Sequence, residues 1–250
     1  MNRAVVQVMR GEVATGRAVM VEQSRLLQAQ GAQTAHVLLS LADLDLARGD
    51  ATSAWAWCQQ TLAEVGPSLG EGGALTVEAW LAAAQISCAL GRYEQALQWL
   101  AELDADRTAR IHLEYRAQSL IVRATVERER GEHPAAEHTA RSALRLARDV
   151  GDRRSEVAAL LVLGDVARLT ARPAQAVSTL DRALYRAEGS GMQYLIAQSL
   201  ASLALARLDA GDRLGARSAA ERAERIAADS GYRPVLERAR QVLAEDRHAG

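Results

Sequence analysis

Lysine and phenylalanine are absent from the 250 residues, asparagine occurs once, at position 2, and proline only four times. Each scarcity removes a class of protein. Two cysteines, Cys58 and Cys88, cannot make a disulfide framework in a chain this long, and they show no metal or redox spacing. They read as small buried thiols on helices. No apolar run approaches the length that spans a membrane, and Arg10 and Glu12 interrupt the short apolar stretch where a signal peptide would begin. The expected location is the cytoplasm. Thirty basic residues against 31 acidic ones leave a net charge of −1, without the basic excess of a general nucleic-acid or anionic-membrane binder. All the basic residues are Arg, which reads as the codon bias of a GC-rich bacterial genome. Catalytic signals are missing as well. There is no glycine-rich phosphate loop after a strand, no nucleophile elbow and no recognition-helix motif, and His133 and His138, five apart, point to different sides of a helix. No enzyme activity, metal or cofactor is expected.

What the chain does contain is a self-similarity of about forty residues. Ala54, Ala96, Ala136, Ala176 and Ala216 recur in register, and five residues before them stand Gly49, Gly91, Gly131, Ala171 and Gly211. A second glycine series, Gly31, Gly151, Gly191 and Gly231, marks junctions between copies, with Gly72–Gly73 near the remaining expected place. The composition is 49% hydrophobic and 4% aromatic, dominated by the strong helix formers Ala and Leu.

Each copy reads as two amphipathic helices. In the fourth, Ser155 is expected to cap the first helix, with Asp152 as a rival, and Pro173 suits the first turn of the second. Apolar anchors recur at Leu38, Trp80, Leu120, Leu160 and Leu200, each followed four residues later by a small one: Ala42, Ala84, Ala124, Gly164 and Ala204. Small residues let helix axes approach while the anchors fill the gaps beside them. The predicted units span approximately 1–30 (partial), 31–66, 73–104, 106–150, 151–190 and 191–231, with a closing helix at 232–246, as one array over 1–250. Arg123 departs from the apolar pattern, and the junction at Asp104–Arg107 lacks a glycine. The Gly66–Gly73 loop is expected to be mobile. Of Trp55 and Trp57, two apart on one helix, one is expected to be exposed or at an interface. His138, Arg141, Arg145 and Arg148 read as a solvated outer stripe.

The order Trp80, Ala83, Ala84, Ala96, Leu100, the better match Leu160, Leu163, Gly164, Ala176, Leu180, Ala183, and the turn Gly91-Arg92-Tyr93-Glu94-Gln95-Ala96-Leu97 resemble tetratricopeptide repeats. The resemblance covers roughly residues 12–246. It implies an all-α fold, a right-handed α-solenoid of antiparallel helix pairs. The units are longer than the usual ~34 residues, a length that resembles arrays in bacterial transcriptional regulators and signalling ATPases. The aromatic usual on the first helix is replaced by Ser87, Glu127 and Ala167. HEAT-like arrays share the forty-residue period, but the glycine-to-alanine turn spacing favours the tetratricopeptide reading.

In such arrays the first helices line a concave groove. The resemblance places His36 and Asp43, Glu78 and Gln85, Gln118, Thr125 and Arg128, Asp165 and Arg168, and Gln198 and Asp209 along it. Arg128 and Arg168 are candidates to meet a partner carboxylate, unless the polar residues form local ion pairs such as Asp165–Arg168. Grooves that hold a terminal carboxylate with Lys and Asn, or peptide backbone with Asn, are disfavoured by composition. The expectation is a protein- or peptide-binding interaction or sensor module of a bacterial transcriptional or signalling regulator. Alternatives are a small-molecule sensor and a self-associating scaffold, the latter a homodimer formed through the incomplete N-terminal unit. The opening inside a unit reads as a fragment of a longer protein.

Overall fold

The computed structural model describes residues 13–66, 73–106 and 112–248. Among these, twelve helices and no strand occur. They are α1 (Val13–Ala29), α2 (Ala35–Ala47), α3 (Ala51–Val65), α4 (Ala74–Ala89), α5 (Tyr93–Ala105), α6 (Leu113–Glu129), α7 (His133–Asp149), α8 (Arg153–Leu169), α9 (Pro173–Glu188), α10 (Gln193–Asp209), α11 (Arg213–Ser230) and α12 (Arg233–His248). The fold is all-α and built of helix pairs, as expected. Most of the Gly66–Gly73 loop lies outside the described residues.

Turn chemistry explains why the helices stop where they do. Gly49, Gly91, Gly131 and Gly211 all take positive φ, between 71° and 81°, and Ala171 takes the same conformation at φ 56°, the only described non-glycine to do so. At each turn two backbone bonds close the helix end: Gly91 N–H donates to Cys88 O at 3.0 Å and Arg92 N–H to Ser87 O at 2.8 Å. Ala171 and Arg172 repeat the pattern on Arg168 and Ala167. After Gly49 and Gly211 the next helix is capped by aspartate: Asp50 accepts from Ser53 N–H at 3.0 Å and Asp212 from Gly215 N–H at 2.9 Å; Arg92, Glu132 and Arg172 hold that position at the other turns and make no side-chain cap bond. At α8 the cap is Asp152, which accepts from Ser155 N–H at 3.1 Å; Ser155, the expected cap, is itself buried inside the first turn. Pro173 starts α9, as its preset φ favours.

The chain divides into two compact units, residues 1–126 and 127–250, the division falling in the last turn of α6. In the first unit α4 packs on α2, α3 and α5 and is buried nearly all round. Its core joins Val77, Trp80, Leu81 and Ala84 to Leu100, Leu103 and Val122. Ala42, Ala54, Cys58, Ala82, Ala83 and Ile86 form a second cluster, flanked by Trp55, Trp57 and Trp99. Neither Trp55 nor Trp57 is exposed: Arg92 lies 5.9 Å over the Trp55 ring, and Trp57 Nε1–H donates to Asp45 at 3.0 Å. Buried Asp45 also accepts two bonds from Arg17, at 2.6 and 2.7 Å, so one carboxylate fastens α1, α2 and α3 together. The exceptional Arg123 bonds Asp104 at 2.8 Å, a polar tie beside the junction that has no glycine.

In the second unit α8 packs on α7, α9 and α10, and α10 on α8, α9, α11 and α12. The second helices bury a narrow, mostly Ala stripe, such as Ala176, Leu180, Ala183 and Ala187 on α9. Gly164 is required rather than merely tolerated. A Cβ there would sit 2.4 Å from Leu180 Cγ, and Leu180 is fully buried.

Candidate functional site

The first helices of the pairs bury most of their surface, yet each keeps a row of polar side chains partly open. In the first unit that row comprises His36 and Asp43 on α2, both exposed, Glu78 and Gln85 on α4, and Gln118 and Thr125 on α6, all half-buried. Glu78 is engaged within the fold: Tyr115 O–H donates to its Oε1 at 3.1 Å. Burial pushes the Tyr115 phenol up to about 12, and the Glu78 charge and hydrogen bond, with Glu114, add to the rise. The hydroxyl is therefore a neutral donor. Thr125 Oγ1 donates back to Ile121 O at 2.8 Å, which occupies its proton. Asp43 acts on Cys58, whose thiol is pushed up to about 12, by burial first and by that carboxylate second. A thiol so protonated is a poor nucleophile.

In the second unit the row comprises Arg128 at the end of α6, Asp165 and Arg168 on α8, and Gln198 and Asp209 on α10. Both arginines are held within the fold. Arg128 Nη1–H donates to Asp165 at 2.9 Å, with both side chains only 13% exposed, and Arg168 Nη1–H donates to Asp209 at 3.4 Å. Asp165 thus pairs with the arginine of the preceding first helix, and the two bridges run from one copy to the next. Gln198 Nε2–H donates to the Tyr194 hydroxyl at 3.0 Å.

Beyond the expected positions, Glu64 near the end of α3 accepts from the backbone N–H and hydroxyl of Thr34, both at 2.7 Å, and so caps α2 from a distance. Burial raises the Glu64 carboxyl, but these bonds outweigh it and hold it below its usual range. On the other side of the pairs, Glu137 joins Arg172 at 2.8 Å and Arg141, while buried Glu156 joins Arg148 at 2.9 Å and Arg186 at 3.5 Å. The Arg141–Arg148 stripe is accordingly part of an ion-pair network at two of its members. Tyr115 and Tyr194, which bond Glu78 and Gln198, are residues that spacing alone did not single out. Tyr194 lies one helical turn before Gln198, and that offset was the available signal.

No protein-family model and no curated protein sequence matches the chain. Solved structures do. One is a signal-transduction ATPase with numerous domains from Pyrococcus horikoshii that carries a tetratricopeptide repeat sensor, with TM-score 0.60 and 19% identity over 86% of this chain. This chain spans 33% of the length of that protein. A Rap protein complexed with competence and sporulation factor matches with TM-score 0.60 and 15% identity, over 95% of this chain and 67% of its own. BtubC (BKLC) from P. vanneervenii matches with TM-score 0.57 and 19% identity, over 91% and 92% of the two chains. Likeness of this kind defines the fold: the chain is a tetratricopeptide-type stack of helix pairs.

Proposed function

We propose, from the premise of a tetratricopeptide-type fold, that this chain is a protein- or peptide-binding interaction or sensor module. The observation that carries the reading is the partly open polar row on helices that are otherwise buried. Gln85, Gln118 and Gln198 are amides placed among apolar neighbours, where each can donate to and accept from an extended backbone. Arg128 and Arg168 are engaged within the second unit, and the groups offered to a partner are the amides and His36. Within this reading the module serves a bacterial transcriptional or signalling regulator in the cytoplasm. The Arg-only basic complement supports that setting, as does the likeness to a sensor-bearing ATPase and to a Rap protein solved with a bound factor. No described helix is long and apolar enough to cross a membrane.

The test is peptide-display panning on the purified chain, followed by affinity measurement with Gln85→Arg and Gln118→Arg. Selected peptides should lose at least tenfold in affinity to either variant. Recovery of no peptide above background, or of peptides indifferent to both substitutions, would overturn the reading. A thermal shift produced by a metabolite and not by any peptide would favour a small-molecule sensor instead, since a ligand at a hundredfold its dissociation constant adds about 2.7 kcal/mol.

A further inference from the structure

Glu156 is a carboxylate in the first turn of α8 that is buried to 6% exposure. The helix-pair template does not require an acid there: at the equivalent place of the next copy Ile196 is buried to the same 6%. A buried carboxylate is costly unless it is paired, and two guanidiniums pair with this one. Arg148, in the last turn of α7, donates through Nε to Glu156 Oε1 at 2.9 Å. Arg186, in the last turn of α9, brings its Nε within 3.5 Å of the same oxygen. Both helices pack against α8.

One oxygen that holds two guanidiniums sets them side by side. Both are held at Nε, and among the described residues neither makes a hydrogen bond through its Nη groups. The two forks are therefore open, and both side chains reach solvent, at 44% and 49% exposure. Two cations share one anion, so the cluster keeps a positive charge. Asp149 follows Arg148 by one residue and points to another side of α7, and Glu188 is held by Arg222 at 2.6 Å. A carboxylate is filled by the fork of one guanidinium, whereas a phosphate group presents three acceptor oxygens and suits two.

We propose that Arg148 and Arg186, positioned by Glu156, form a subsite for one phosphate group. The subsite shares no residue with the polar row, so it stands or falls separately from the peptide-module reading.

The test uses the full chain labelled with ¹⁵N-arginine, with the Nε resonances of Arg148 and Arg186 assigned through Arg148→Lys and Arg186→Lys. Inorganic phosphate, N-acetyl-phosphoserine amide and acetate are titrated at fixed pH and at constant ionic strength balanced with chloride. Both resonances should move saturably with phosphate, while that of exposed Arg25 does not saturate. Saturation by inorganic phosphate alone assigns the free ion, and tighter binding of the phosphoserine amide assigns a phosphorylated side chain. Arg148→Gln and Arg186→Gln should each weaken binding tenfold or more, and either Lys variant should retain part of it. A linear drift with every anion overturns the subsite, as does unchanged binding in Arg186→Gln whose amide spectrum shows the parent fold. Acetate that saturates the two resonances at concentrations equal to or below those of phosphate would overturn the assignment to phosphate.

Discussion

The two halves of this chain fill one helix-pair template with different side chains. Residues 1–126 hold all four tryptophans and 10 arginines; residues 127–250 hold no tryptophan and 20 arginines. In the first unit, Trp80 and Leu100 fill the space between helices, and the buried carboxylate of Asp45 is satisfied by Arg17 and Trp57. In the second unit, stripes of Ala close the pairs, and guanidiniums bridge one element to another: Arg128 to Asp165, Arg172 to Glu137, Arg207 to Asp181, Arg222 to Glu188 and Arg240 to Glu224. The template fixes turns and small contact positions. It leaves open whether stability comes from large apolar surfaces or from many small contacts edged with charge. Because each unit of such an array contacts chiefly its neighbours, the choice can differ along one chain.

The comparison breaks most sharply at the anchors. Trp80→Ala should destabilise the first unit by about 3–5 kcal/mol, since it removes the largest side chain of that cluster and leaves a cavity. Leu160→Ala in the second unit should sit lower in the ~2–5 kcal/mol range expected for Leu. Hydrogen exchange resolves the two units separately: protection should fall first in α4 and α5 for one variant and in α8 and α9 for the other. Equal losses spread over both units would show that the two do not draw on separate cores.

Overpacking sharpens the same contrast. Gly164→Ala places a methyl within 2.4 Å of Leu180 and should cost about 1–3 kcal/mol, although Ala stands at the equivalent place in every other copy. The double variant Gly164→Ala/Leu180→Ala reproduces the residues at the equivalent places of the next copy, Ala204 and Ala220, and should recover part of that loss. A denaturation midpoint for the double variant below that of the single one would refute this size compensation.

How much of this was legible in the sequence follows from what sets each feature. Helix ends were legible because they are local: a glycine five residues before a recurring alanine has one dominant structural use. Ala171 kept its place in that series despite its Cβ, and the structure puts it in the same left-handed conformation. The choice of Asp152 over Ser155 as cap turned on three residues of register, less than one helical turn, which periodicity does not resolve. The offsets picked out polar positions on the first helices, but not their engagement within the fold. Arg128 and Asp165 are 37 residues apart, and only the stacking of one copy on the next brings them together. Tyr194 lies in the first turn of α10, one turn ahead of Gln198, and only the structure shows the bond between them.

Ala171 offers a smaller, opposite-signed probe. A left-handed backbone costs an alanine about 1–2 kcal/mol, part of which glycine gives back through its larger unfolded-state entropy. Ala171→Gly should therefore stabilise the second unit by about 0.5–1 kcal/mol, read as a higher denaturation midpoint with unchanged slope. A drop would show that the Ala171 methyl makes a contact worth more than the strain.

The smallest effect concerns the charges that edge the second unit. Glu137 is held below its usual carboxylate range, chiefly by the hydrogen bond from Arg172, against burial, which raises it, and with help from the Arg141 charge. Arg172 is 36% exposed and Glu137 19%, so solvent screening discounts the pair to a surface-like ~0.2–1 kcal/mol. A carboxyl with a depressed folded-state pKa binds protons more readily when unfolded. Its contribution is therefore full above the ordinary value near 4.5 and is lost as pH falls through the lower folded-state value. Glu137→Gln should be slightly less stable than the parent at pH 7, and the two should converge once the pH has fallen through that lower folded-state value, and also at about 1 M salt, where the Debye length shrinks to ~3 Å. Tryptophan fluorescence is blind to this half of the molecule, so the measurement is hydrogen exchange in α7 and α9. A gap that persisted in acid and high salt would mean that Glu137 acts through packing, and that the guanidinium bridges do not distinguish this unit from its aromatic counterpart.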